Sequence, residues 1–223
     1  ARQHLIDFGI GDAEAAATLI RAQRLDCPGV ELPPLPAIGN RAPAPVMALV
    51  CGRNILPYLS VLTNKLIDED IPLIYIDNGS DDGSAEKAAQ LLGDGISELH
   101  HLPYDGSFSV EAQLRMKQRL IAQHAPRWVL NMDADEILEH RNSGGRLRDM
   151  AEDAEKSGYN ALNFQEFVFL PLPSEDFSDA DYARGMTNYY LFEPMPYRLI
   201  RLWRHGLGLS NLESAGHRLS GPL

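Results

Sequence analysis

Along the chain, short unbroken apolar runs alternate with stretches in which apolar residues recur every three or four positions. Val46-Met47-Ala48-Leu49-Val50-Cys51, Leu73-Ile74-Tyr75-Ile76 and Trp128-Val129-Leu130-Asn131-Met132 present almost no polar face. That is the pattern of strands covered on both sides in a parallel sheet. Between them, Leu59, Leu62 and Leu66 place a helix over Ile55 to Asp68, and Val110, Leu114 and Ile121 place a longer one over Val110 to His124. A short helix is predicted from Ala85 to Leu92, and a weaker strand around Glu98–Leu102. Strands and helices alternating at these distances predict βαβ units, and so an α/β domain with a mostly parallel sheet.

The rhythm changes past residue 140. Asn142-Ser143-Gly144-Gly145 reads as a turn, Leu147 to Ser157 as a polar helix, and Ala161 to Phe169 as one alternating, half-buried strand. An acidic, proline-containing loop over 171–185 precedes a basic strand, Tyr197 to Arg204. At the other end, residues 1–25 suggest a single helix capped by Asp12. Residues 26–45 hold six of the fifteen prolines, which predicts an extended linker or a strap over the surface. The chain thus divides into 1–45, an appendage, and 46–223, the α/β domain. It opens on Ala1 rather than Met and is read as part of a longer protein.

Charge narrows the function. Twenty basic and thirty-one acidic residues give a net charge of −11 over 223 residues. Such a chain repels a phosphate backbone and an anionic membrane surface, and it shows no basic patch, so nucleic acid is not an expected partner. An anionic ligand would need a divalent cation between the like charges. Cys27 and Cys51 match neither a disulfide framework nor a zinc pattern and read as reduced thiols of a cytoplasmic protein. No apolar run approaches the ~20 residues of a membrane span, and the N-terminus lacks a secretory layout.

In open α/β sheets, ligands collect at the carboxyl ends of the strands. Two polar clusters follow such ends: Asp77-Asn78-Gly79-Ser80-Asp81-Asp82-Gly83-Ser84, and Asp133-Ala134-Asp135-Glu136. Three carboxylates within four residues repel one another, by about 4 kcal/mol for charges ~4 Å apart at an effective dielectric of ~20. A hard divalent ion would remove that cost and leave positions for phosphate oxygens. The plainer alternatives are that Asp135 caps a helix over Glu136–His140, and that Asp77–Ser84 is a turn with a helix cap. An EF-hand loop fails, because Ala89 stands where a bidentate Glu is required. A haloacid-type phosphatase motif fails on Glu136-Ile137, and no glycine-rich phosphate loop follows the first strand.

Val46–Asn54, Ile74–Ser84 and Trp128–Glu136, in that order and spacing, resemble the three signature stretches of family 2-like glycosyltransferases, in a bacterial-type subgroup. The likeness is clear over about 46–140. It implies the GT-A fold, a Rossmann-like nucleotide-diphospho-sugar transferase architecture. It also implies transfer of a sugar from a UDP- or GDP-linked donor to an acceptor hydroxyl, with inversion and with Mn²⁺ or Mg²⁺. By the same resemblance, Ala48, Val50, Arg53, Asn54, Asp77, Asn78, Gly79, Asp133 and Ala134 would border the nucleotide sugar. Asp135 would ligate the metal, with Asp133, Glu136 and His217 as further ligands. Arg115 or Arg119 would meet phosphate, and Glu166, Asp176 and Glu213 are candidate bases. Donor, acceptor and oligomeric state are not specified by these residues. Two other readings stand beside this one: a nucleotidyltransferase on the same fold, and a non-catalytic binding module.

Overall fold

The computed structural model describes residues 32–39, 42–172, 182–191, 199–209 and 219. The expected N-terminal helix lies outside them, as do Asp176, Glu213 and His217. Eight strands and five helices are found among the described residues. Six strands form one sheet in the order β3-β2-β1-β4-β8-β5, and β6 and β7 form a separate pair. The strands of the large sheet are β1 (Val46–Gly52), β2 (Leu73–Asp77), β3 (Ile96–His101), β4 (Trp128–Asn131), β5 (Ala161–Asn163) and β8 (Ile200–Arg204). The first four pair in parallel. Strand β8 runs antiparallel to both β4 and β5. The architecture is therefore the mixed α/β, mostly parallel sheet that the pattern predicts.

Alternation along each strand decides which helix covers it. Val46, Ala48, Val50, Leu73, Tyr75, Trp128, Leu130 and Leu202 share a core with Leu59, Leu62 and Leu66 of α1 (Leu56–Asp68) and Ala88 of α2 (Ser84–Gln90). Leu147, Ala151 and Ala154 of α4 (Leu147–Lys156) complete it. Met47, Leu49, Cys51, Ile74, Ile76, Val129 and Trp203 point the other way, onto Ala112, Met116, Leu120 and Ile121 of α3 (Val110–His124). Both sides of β1 are buried for this reason, which is why its sequence is a continuous apolar run.

Helix ends follow local chemistry. Ser109 caps α3 by accepting the Ala112 N–H at 3.1 Å, and the helix stops where Ala125 turns left-handed, φ 44°. Outside α3, Leu32, Leu35 and Ala44 pack on the second core. Arg119 donates to the Pro33 carbonyl at 2.9 Å, and Gln123 to that of Pro36 at 2.5 Å. Residues 32–39 form neither helix nor strand, as prolines without N–H donors require.

Two expectations are corrected. Ala161 to Phe169 is two strands rather than one. The ladder of β5 with β8 slips at Leu162/Asn163, and Asn163 turns its side chain to accept the Leu199 N–H at 2.8 Å. The chain then leaves the large sheet, and β6 (Phe167–Phe169) pairs with β7 (Tyr189–Leu191), which follows α5 (Tyr182–Gly185). The proposed helix after Asp135 is also absent, so capping does not explain Asp133–Glu136.

Candidate active site

Because β1, β2 and β4 are parallel neighbours, Gly52, Asp77 and Asn131 end on one edge of the sheet. The loops after them build the crevice. Burial pushes the Cys51 thiol up to about 12. Lys117 opposes this, while Asp77 at the end of β2 and Asp133 in the turn after β4 both add to it. The two acidic clusters therefore do converge on the end of β1.

The first cluster is a structural clasp. Asp77 is buried, its carboxylate accepting from the Tyr75 hydroxyl at 3.3 Å and from the Ser80 N–H at 3.2 Å. Arg53 donates to the Gly79 carbonyl at 3.0 Å and to Asp81 at 2.6 Å, with its guanidinium 4.4 Å from the centre of the Tyr104 ring. Asn54, left-handed at φ 59°, exchanges two side-chain hydrogen bonds with Asp81, at 2.7 and 3.0 Å. These bonds hold the Asp81 carboxyl below its ordinary value, the Asn54 amide contributing most. Asp82 accepts from Leu56 N at 3.2 Å and from Ser84 N at 2.9 Å, and Ser84 in turn accepts the buried Ile55 N–H at 2.8 Å. Gly79 is required here. Its φ is +65°, and a Cβ would stand 2.6 Å from that of Tyr104.

The second cluster is a four-residue turn, in which Glu136 N–H donates to the Asp133 carbonyl at 3.3 Å. Ala134 tucks into the first core, so Asp135 is carried at the turn's exposed tip. Glu136 folds back to accept the Asp133 N–H at 3.1 Å. From β8, Arg201 reaches under the turn. A single nitrogen, Nη2, donates to Asp133 Oδ2 at 2.9 Å and also to Glu136 Oε1. Its side chain is 2% exposed, against 54% for Asp133. Burial works against this charge, but Glu136 and Asp133 outweigh it and raise the Arg201 pKa. Burial likewise pushes the Glu136 carboxyl up to about 7, against the pull of Arg201. Beside them Lys117 is buried and donates to Asn131 Oδ1 at 2.6 Å, burial lowering its pKa.

The structure thus sorts the expected residues. Asp77, Gly79, Arg53, Asn54, Asp133 and Asp135 stand at the crevice. Ala48 and Val50 are wholly enclosed, with their backbones in the ladders, so the accessible end of β1 begins only at Gly52. Asn78 turns inward, donating to the Leu102 carbonyl and accepting from Gln113 of α3. Arg119 faces the proline strap rather than the crevice, and Arg115 pairs with Glu111 at 2.6 Å on the outside of α3. Glu166 is half-buried between β5 and β6.

Among the described residues, no three His, Cys, Asp or Glu side chains converge as a metal cage. Both oxygens of Glu136 already accept hydrogen bonds, one from the Asp133 N–H and one from Arg201. Asp135 and the second oxygen of Asp133 do fit a hard cation, being exposed carboxylate oxygens.

Lys117 and Arg201 escaped the sequence reading, though each carried a signal. Lys117 lies three residues from Leu114 and four from Ile121, on the apolar face of its helix. Arg201 interrupts a strand, Leu199 to Trp203, that is apolar on both parities.

No protein-family model matches the chain, and no curated protein matches it. Among solved structures, S. aureus TarS is 14% identical with a TM-score of 0.39, covering 60% of this chain and 24% of its own. The mannosyltransferase PcManGT from Pyrobaculum calidifontis, in complex with GDP-Man and Mn²⁺, is 17% identical with a TM-score of 0.40, covering 72% of this chain and 44% of its own. A 4-diphosphocytidyl-2C-methyl-D-erythritol synthase is 12% identical at a TM-score of 0.40, with 78% and 84% covered. The chain thus spans less than half the length of the first two. Among the described residues no helix is long and apolar enough to cross a membrane.

Proposed function

We propose that the chain is a metal-dependent glycosyltransferase that moves a sugar from a UDP- or GDP-linked donor to an acceptor hydroxyl. One observation carries this reading. Of the six carboxylates after β2 and β4, five are held by hydrogen bonds within the fold, and Asp135 is the exposed one for which the described residues supply none. An exposed carboxylate at the tip of a strand-end turn, between neighbours that are tied down, supports a ligand role for Asp135.

Asp135 and Asp133 would hold Mn²⁺ or Mg²⁺, which when bound supplies charge stabilisation to the departing diphosphate. Asp77, Arg53 and Asn54 would border the nucleoside. The acceptor oxygen forms a bond to the anomeric carbon as the bond from that carbon to the diphosphate oxygen breaks. The hydroxyl proton passes to a carboxylate, for which Glu166, Asp176 and Glu213 remain the candidates, and His217 is proposed as a further ligand. Direct displacement of this kind inverts the configuration.

The test is calorimetric titration of UDP and GDP with Mn²⁺ or with EDTA, on wild type and Asp135→Ala, beside a transfer assay over a panel of nucleotide sugars. Binding should need the metal and fall at least tenfold in the variant. Equal binding in EDTA, or in Asp135→Ala, would refute the reading.

A further inference from the structure

The arginine under the turn occupies a place where a cation is otherwise expected. Nη2 of Arg201 touches a carboxylate oxygen of Asp133 on one side and of Glu136 on the other, as a bridging metal ion would. It is buried, it arrives from a strand 65 residues away in sequence, and the buried Lys117 side chain lies near it. The repulsion among the three acidic residues is therefore relieved, for two of them, by the protein itself. A metal approaching the bare turn meets one exposed carboxylate, Asp135, and one oxygen of Asp133. That is fewer protein oxygens than a hard cation needs to give up much of its water. Water keeps the remaining positions until oxygens of the incoming diphosphate displace it.

We propose that Arg201 is a resident counter-cation, interchangeable with a divalent ion at Asp133 and Glu136. It keeps those two carboxylates positioned and occupied, so that the crevice takes its metal together with the diphosphate rather than alone. This rests on the metal-dependent reading above and adds a positioning role for Arg201 together with an order of binding. The role differs from that of an ordinary structural ion pair in one respect. Removing the arginine should not only destabilise the chain but also create a metal site.

The experiment is thermal unfolding of the whole chain in EDTA and in Mn²⁺, without nucleotide, for wild type, Arg201→Met and Arg201→Lys. In EDTA, Arg201→Met should unfold roughly 10 °C below wild type, because two partly buried carboxylates lose their partner. Millimolar Mn²⁺ should return about half of that loss while moving wild type little, since a ligand raises stability in proportion to the logarithm of its occupancy. Arg201→Lys, which keeps the charge on one nitrogen, should lose less and gain little from Mn²⁺. Should Arg201→Met fail to fold, Arg201→Gln, which keeps a neutral donor beside the two carboxylates but no charge, takes its place. A Mn²⁺ shift in Arg201→Met, or in Arg201→Gln where that stands in for it, no larger than in wild type overturns the proposal, as does a wild type that binds Mn²⁺ alone as tightly as it does with UDP or GDP. None of these readouts requires sugar transfer. A wild type that binds neither nucleotide with Mn²⁺, while Arg201→Met still gains Mn²⁺ stabilisation, fails the functional reading and leaves the counter-cation standing.

Discussion

Glu136 sets two strong effects against each other, and pH separates them. Its carboxyl has an ordinary value of 4.5, and burial carries it to about 7 in the folded chain, outweighing Arg201 and the Asp133 N–H. The fold thus favours the protonated form. Its contribution to stability is complete below pH 4.5 and is lost as pH rises to 7. At about 1.4 kcal/mol for each tenfold change in proton affinity, the window holds about 3 kcal/mol, or roughly 6–12 °C of melting temperature for a domain of this size. Glu136→Gln cannot titrate. Its carbonyl can still accept from Arg201, while its amide meets the Asp133 N–H badly, a penalty of about 1 kcal/mol that is the same at every pH. The readout is therefore a slope and not an offset.

Urea unfolding of both proteins in EDTA, at half-unit steps from pH 4.5 to 8, gives that slope. The variant should gain on wild type by up to about 3 kcal/mol across the window and hold level above it. A difference that stays flat means that the ion pair cancels burial. A variant that loses ground as pH rises means that the guanidinium wins outright. Either result refutes the balance argued here.

The loop clasp and the core are open to simpler tests. Ser84→Ala removes the acceptor of the buried Ile55 N–H and a partner of Asp82, and should cost about 1–3 kcal/mol in urea unfolding. Gly79→Ala forces a side chain into a left-handed backbone and against Tyr104. It should cost at least 1–2 kcal/mol and weaken UDP or GDP binding by calorimetry, because Arg53 is anchored on the Gly79 carbonyl. Leu59→Ala, wholly buried under the sheet, should lose about 2–5 kcal/mol and leave nucleotide affinity per folded molecule unchanged.

How far the sequence could be read depended on the distance over which each signal acts. Strands β1, β2 and β4 and helices α1 and α3 were legible because a continuous apolar run and a 3.6-residue period are local and are written in consecutive residues. The end of β5 was not, since its ladder breaks through a side-chain bond from Asn163 to a residue 36 positions away. The placement of Asp77 and Asp133 at the edge of the sheet was legible because they sit where parallel strands end. Asp81 and Asp82 carry the same letters but are taken up by Asn54 and Arg53 from the loop after β1 and by Ser84 at the start of α2. Only pairing across loops shows which acid is structural.

That sorting changes what the net charge of −11 means. Repulsion among strand-end carboxylates is an argument for a metal only where the fold offers no other cation. Here Arg53 meets Asp81, and Arg201 meets Asp133 and Glu136, so bare repulsion cannot support a metal at those three. The argument survives at Asp135, on different ground. Ala134 is buried, which forces its successor outward; Asp133 and Glu136 are tied on either side, which fixes the turn. An aspartate at such a tip is held in place by its neighbours rather than by bonds of its own. If Asp135 were merely a solvated surface residue, Asp135→Asn would be silent in every assay. If it is the ligand, the same isosteric change should leave unfolding within about 0.5 kcal/mol of wild type and still abolish the Mn²⁺-dependent part of UDP or GDP binding.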